Sequence, residues 1–303
     1  MDFTVEDVFS GIERASNYIP VESLSMRYRF GEHKSGFRDG RDFYQIREYE
    51  PETDSAADIL WHLREPSGKV YVRETNVTKE FIGIVLADLS ASMIYKSRLL
   101  LETIGNIGLT FFHGQDPMGL IGFSEGIIID EEPRVGEGNI YYLLNQLYKY
   151  LDHMFKEKPK SLKSHTTDMA KALDFFLQRY YNKQCFVMVV SDFIGCEDII
   201  NSPLLQEISN QNEVVFIFLD NPEEFKVKLP IGYLRRGDVE KGTTQFVSLK
   251  KMAKKIAEDR VNRKQFRDDL WNEMSVGSTV LEYGKHFDRL SRFFLIREEM
   301  FRI

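Results

Sequence analysis

The sequence predicts an α/β protein: a Rossmann-like, doubly wound, mostly parallel sheet with an N-terminal helix and an extended or β appendage. Three observations predict it. The runs FIGIVLAD, CFVMVVSD and EVVFIFLD are short and almost wholly apolar, and Asp88 and Asp192 end the first two. Runs of this length with no polar alternation are strands buried on both faces. Amphipathic stretches of helical period separate them, and strands alternating with helices at this spacing build a parallel sheet covered on both sides.

The elements follow in order. Val5, Val8, Phe9 and Ile12 recur at helical spacing, and Pro20 lies beyond as a stop. Residues 31–80 are rich in charge, glycine and aromatics and read as extended segments and loops, with alternation at Val70-Tyr71-Val72. After the first core strand come the helical stretch SRLLLETIGNIGLTFFHG, closed at Gly114, and two strand-like pieces, MGLIGFSEG and IIID. Two more helical stretches follow, NIYYLLNQLYKYLDHMF and TDMAKALDFFLQRYY, the second opened by a threonine cap. EDIINSPLLQEIS reads as a helix between the second and third core strands. The tail adds strand-like QFVSL, a long helix over about Lys250–Met274, a strand STVLEY and a last helix HFDRLSRFFLI. Two regions result: 1–80, a helix and extended segment packed on the main domain, and 81–303, the main domain.

Composition narrows the function classes. At 303 residues, 43% hydrophobic, the chain can bury a sizeable core. Its net charge of -7 argues against a general nucleic-acid binder, which presents a basic face. Two cysteines, Cys185 and Cys196, make no disulfide framework and fit a reducing compartment. The N-terminus lacks a basic region followed by an apolar one, and no apolar run approaches the ~20 residues that cross a bilayer. A cytoplasmic protein without a membrane span is expected.

The chemistry concentrates after the first core strand. Asp88, Ser90 and Ser92 form D-L-S-A-S at its carboxyl end, the edge where open α/β sheets bind ligands. One carboxylate and two hydroxyls at alternating positions of a tight loop can converge on a small hard cation. Thr167, opening the helix TDMAKAL, and Asp192, ending CFVMVVSD, are two further oxygen donors that the fold delivers to the same edge. Hard oxygen ligands suit Mg²⁺, with Mn²⁺ or Ca²⁺ as alternatives. Mixed hydroxyl and carboxylate ligation leaves such an ion under-neutralised and attractive to an outside carboxylate.

The pattern D-x-S-x-S, then T-D-x-x-x-A-L, then a strand ending in Asp resembles the metal-ion-dependent adhesion site of von Willebrand factor A domains. That resemblance implies a von Willebrand factor A-like fold, with Asp88, Ser90 and Ser92 as signature ligands and Thr167 and Asp192 as distal ones. The preceding segment is similar to one found in the bacterial family catalogued as domain of unknown function 58. The marks are Gly31-Glu32-His33 with Ser35, Arg47-Glu48-Tyr49 with Pro51 and Asp54, Asp58-Ile59 with Trp61, and Val72-Arg73-Glu74. Leu60-Trp61-His62-Leu63 departs from that family, which more often has a basic, small-residue run after the Trp. The resemblance implies a protein-interaction module working with a MoxR-type AAA+ ATPase in chaperone-like assembly or activation of other proteins.

Other readings stand beside it. Singly, Ser and Thr cap helices and Asp ends strands, so the expectation rests on the five donors jointly. Arg47, Glu48, Asp54, Asp58, Trp61 and Arg73 read first as a structural ion-pair network and second as a partner surface. Tyr141, Tyr142, Tyr180 and Tyr181 read as helix–sheet packing. No Walker or GxGxxG motif is present. No catalytic residue is therefore expected; the alternatives are a Mg²⁺-dependent phosphohydrolase using Asp88 as nucleophile, against which Ser90 stands where a second Asp would serve, and a structural scaffold with a degenerate metal site.

Overall fold

The computed structural model describes residues 3–16, 42–49, 59–63, 69–76, 82–157, 168–181, 183–194, 196–221, 233–238 and 243–300. They fall into two units, one of Arg27–Glu80 and a larger one of Met1–Met26 with Phe81–Ile303. In the smaller unit β1 (Asp42–Glu48) pairs antiparallel with β2 (Tyr71–Asn76). Lys69 and Glu48 form an exposed ion pair across it, 2.9 Å apart. Of the expected charged cluster, Asp54 and Asp58 lie outside the described residues, and Trp61 is exposed.

The larger unit begins with α1 (Val5–Ser16), which ends before Pro20. Then come β3 (Ile82–Asp88), α2 (Ser97–Gly114), β4 (Met118–Phe123), β5 (Ile127–Arg134), α3 (Glu137–Glu157) and α4 (Met169–Arg179). They are followed by β6 (Cys185–Ser191), α5 (Pro203–Gln211), β7 (Glu213–Asp220), β8 (Tyr233–Asp238), β9 (Thr243–Ser248), α6 (Leu249–Met274), β10 (Gly277–Glu282) and α7 (His286–Met300). Strands β8 and β9 pair with each other as a separate ladder. The main sheet has the order β10-β7-β6-β3-β4-β5, parallel throughout except for the β4–β5 pair.

Alternation along the buried strands divides the core in two. Val85 and Ala87 of β3, with Phe186, Met188 and Val190 of β6, pack with residues of α1, α2, α3 and α7 on one face. Ile84 and Leu86, with Val187 and Val189, pack with residues of α4, α5 and α6 on the other. Both faces are dry, so β3 and β6 show no polar alternation; each such fully buried aliphatic contributes about 1.5–3 kcal/mol. The chain leaves β3 through α2 on one face and leaves β6 through α5 on the other. The gap between β3 and β6 is therefore the topological switch point, where loops diverge above the carboxyl ends of the strands.

Two local expectations differ from the structure. EDIINSPLLQEIS is not one helix: a 3-10 turn over Glu197–Asn201 stops at Ser202, and α5 starts at Pro203. Pro203 has no N–H to continue the turn, while the Ser202 hydroxyl accepts from the Leu204 N–H as a cap. Asp168, not the threonine before it, is the N-cap of α4, its carboxylate accepting from the Lys171 N–H. Helix α2 ends at Gly114 as its sequence predicts, and the chain turns left-handed at Gln115, φ 57°.

On β4, Gly119 lies hard against the backbone of β5. A Cβ there would sit 2.9 Å from the Glu131 carbonyl oxygen and 3.0 Å from the Pro133 nitrogen, neither of which can swing away as a side chain can. Gly119→Ala is expected to destabilise the protein by about 1–3 kcal/mol, seen as a lower urea midpoint at unchanged m-value. An unaltered midpoint would show that β5 shifts at no cost.

Candidate functional site

The pairing of β3 with β6 runs to Ala87 opposite Val190, so Asp88 and Ser191 follow at one level of the sheet edge. On the other side Asp88 pairs with Phe123 of β4, and Ser124 comes next. Asp88 is fully buried. Its Oδ1 accepts from the Ser90 N–H at 2.8 Å, and its Oδ2 accepts from the Ser191 hydroxyl at 2.6 Å. The Ser90 N–H contact folds the loop back on itself. It leaves the Ser90 and Ser92 hydroxyls 3.1 Å apart, Ser90 buried and Ser92 half-buried.

Asp192 follows Ser191 and is also buried. Its Oδ1 accepts from the Ile194 N–H at 3.2 Å, and its Oδ2 accepts from the Lys96 ammonium at 2.8 Å. Both side chains of that ion pair are almost sealed from water, at 2% and 3% exposure. Between Asp192 and Ile194, Phe193 adopts a left-handed backbone, φ 53°. A residue of this kind costs of order 1–3 kcal/mol there and persists only where its surroundings over-determine it. Its buried ring packs against Phe216, Phe218 and Phe266, with centroids 5.1, 4.4 and 5.9 Å away. The Phe193 N–H donates to the Ser191 hydroxyl at 2.9 Å, so the hydroxyl that serves Asp88 also fixes this turn.

Burial pushes the Asp88 carboxyl up to about 6, with the nearby Asp192 carboxylate adding to the rise; the bonds from Ser191 and Ser90 oppose it. Two carboxylates close enough to repel, in a place without water, are an arrangement that a bound cation relieves. Among the described residues no three His, Cys, Asp or Glu side chains converge as a metal cage. An ion at this edge would be held by two carboxylates and by hydroxyls, a donor set of hard oxygens that fits Mg²⁺ and offers nothing to a soft metal.

Of the five sequence-predicted donors, Asp88, Ser90 and Ser92 are together and Asp192 is within electrostatic reach of Asp88. Thr167 lies outside the described residues. Its neighbour Asp168 is anchored at this edge, donating its N–H to the Ser124 carbonyl at 2.8 Å. Asp168 itself is paired with Lys171 at 2.9 Å.

Three residues here went unmarked in the sequence. Lys96 neutralises Asp192, Ser191 holds Asp88, and the Ser124 hydroxyl is buried without a hydrogen-bond partner. A usable signal existed for Lys96: it is the one charge in the stretch SMIYKS beside a predicted buried strand, and a buried lysine needs a counter-charge. Tyr180 is buried as expected, whereas Tyr141, Tyr142 and Tyr181 are exposed. The hydroxyls of Tyr141 and Tyr142 donate to Glu6 and Glu131, each at 2.9 Å, instead of packing on the sheet.

The sheet order and the loop at its switch point define a Rossmann-like α/β domain with a six-stranded, mostly parallel sheet flanked by helices. The chain belongs to the family described as protein of unknown function DUF58, whose model matches residues 45–267. No curated protein matches it. Among solved structures it is similar to the conserved hypothetical protein BatB from Bacteroides thetaiotaomicron. That match has 14% identity and a TM-score of 0.38, covering 74% of this chain and 100% of that one. It is also similar to an aerotolerance-related membrane protein from Bacteroides fragilis, with 14% identity, a TM-score of 0.40 and the same two coverages, 74% and 100%. An uncharacterized membrane spanning protein from Vibrio fischeri matches at 11% identity and a TM-score of 0.24, over 73% and 99%. Likeness at this level says nothing about activity. Among the described residues, no helix is long and apolar enough to cross a membrane.

The raised Asp88 pKa makes a stability prediction of unusual sign. Its folded value, about 6, exceeds the ordinary 3.8, so between these values the folded state binds more protons than the unfolded one. Stability is therefore lost as pH rises through that window, and the deficit is complete above it. Asp88→Asn is expected to stabilise the metal-free protein at pH 7.5 by about 1–3 kcal/mol, and to leave it near wild type at pH 3.5. Thermal melts at the two pH values check this; a destabilised Asp88→Asn at pH 7.5 contradicts it.

Proposed function

We propose that this protein is a non-enzymatic, metal-dependent protein-interaction module. In this reading Asp88, Ser90, Ser92, Thr167 and Asp192 hold Mg²⁺, with Mn²⁺ or Ca²⁺ as alternatives, and an Asp or Glu of a protein partner completes the coordination. The observation that supports it most is the meeting of two buried, mutually repelling carboxylates with two serine hydroxyls at the switch point of the sheet. The bound ion would supply a positive centre for an incoming carboxylate. This chain's residues supply the rest: Asp88 and Asp192 the negative charge, the serines neutral donors, and the Ser191 hydroxyl a fixed orientation for Asp88. Tyr95 and Ile194, flanking the centre in sequence, are 60% and 46% exposed and offer apolar contact to a partner.

Family resemblance alone suggests the partner, a MoxR-type AAA+ ATPase, and the role, cytoplasmic chaperone-like assembly or activation of other proteins. A second reading, a scaffold with a closed centre, draws support from the buried Lys96–Asp192 pair. One experiment separates them. The tagged protein is expected to retain a AAA+ ATPase in Mg²⁺, to lose it in excess chelator, and to lose it by at least about tenfold on Asp88→Ala. Retention that ignores both chelator and Asp88→Ala favours the scaffold.

A further inference from the structure

Lys96 is unusual for its surroundings. Lysine is seldom fully buried, yet its side chain is 2% exposed, and its ammonium lies 2.8 Å from the Asp192 carboxylate. It ends the 3-10 turn Ala91–Lys96, which starts directly after Ser90 and contains Ser92. The loop that presents the hydroxyl donors therefore also carries a fixed positive charge into the centre. Asp168, the other carboxylate anchored at this edge, has its own partner in Lys171 and does not alter the balance.

We infer that Lys96 is a built-in counter-cation of this centre, which weakens metal binding and leaves the metal-loaded centre with a net positive charge. The inference rests on the metal-binding reading above. By formal charge, the Asp88 and Asp192 carboxylates and the Lys96 ammonium carry a single negative charge between them. A divalent ion turns that into a single positive charge, and one outside carboxylate brings the assembly to neutrality. Without the ammonium the same centre starts at two negative charges, is neutral once loaded, and becomes negative on meeting the partner's carboxylate. Lys96 thus shifts electrostatic preference away from holding the metal and towards holding metal and external anion together. In a site withdrawn from water, such charge terms are large.

The test is isothermal titration of chelator-stripped protein with Mg²⁺, using Lys96→Gln, which can still donate to Asp192, and Lys96→Arg, which keeps the charge. Lys96→Gln is expected to bind Mg²⁺ at least about tenfold more tightly than wild type, and Lys96→Arg within about threefold of it. The loaded Lys96→Gln protein is expected to bind acetate, as a probe carboxylate, more weakly than loaded wild type. Equal or weaker Mg²⁺ affinity in Lys96→Gln overturns the inference while leaving the metal-binding reading intact. An equal gain in Lys96→Arg also overturns it, because the charge would not be responsible. A wild type that ignores Mg²⁺ beside a Lys96→Gln that binds it sinks the metal-binding reading and, with it, the positively charged loaded centre that the inference requires. Should Lys96→Gln unfold, melts with and without Mg²⁺ decide: rescue by the ion supports the role, and no rescue overturns it.

Discussion

Two carboxylates, Asp88 and Asp192, stand at the ends of neighbouring parallel strands and are both withdrawn from water. This follows from the register of β3 against β6, which stops both apolar runs at one level, and from the opposite departures of α2 and α5. A loop rising there can avoid one helix layer but not both strands, so its first residues stay beneath the surface. The desolvation of two anions has to be offset locally. The Ser90 and Ile194 N–H groups, the Ser191 hydroxyl and the Lys96 ammonium do so, and every one comes from the same two loops. Each loop is therefore shaped by the charge it carries as much as by the strand it leaves.

The loop after β6 shows how far the core is recruited for this. Left-handed Phe193 is the hinge between Asp192 and Ile194, and a ring cluster reaching to Phe266 of α6 holds it. Swinging the Asp192 carboxylate would mean freeing that ring from Phe216 and Phe218, or giving up the N–H bond to Ser191 that also steadies Asp88. Packing on the far face of the sheet is thus mechanically continuous with the two carboxylates. A rigid aromatic anchor behind a polar loop keeps its donors in place whether or not a ligand is present, which lowers the ordering cost of binding.

Much of the fold was legible because its signals are local. The three apolar runs became β3, β6 and β7, since a strand dry on both faces has no alternative pattern, and the α2, α3 and α6 periods gave helices of nearly the expected extent. The break between Asn201 and Pro203 was missed because an apolar period runs through a proline that serves as a helix start. The positions of Asp88, Ser90, Ser92 and Asp192 at one edge follow from strand ends and topology. Lys96 and Ser191 escaped notice for the opposite reason. Their partners are distant in sequence, Asp192 for Lys96 and Asp88 for Ser191, and no spacing rule connects them. The exposure of Tyr141 and Tyr142 depended likewise on which side of α3 meets the sheet, the one that buries Ile140, Leu143, Leu144, Leu147 and Leu151.

Stability alone does not account for the Lys96–Asp192 pair. Exchanging a buried ion pair for apolar side chains of similar volume is commonly neutral, or stabilising by about 1–4 kcal/mol. An apolar pair at these positions would also remove the Asp192 repulsion that adds to the effect of burial in raising the Asp88 carboxyl to about 6. What such a pair lacks is charge of either sign at a place that only a third party can balance. The pair leaves Asp88 as the surplus anion, beside hydroxyls that can ligate but cannot neutralise. A fold selected for its core would have no use for that imbalance, whereas the proposed uptake of a cation and then an acid group would depend on it.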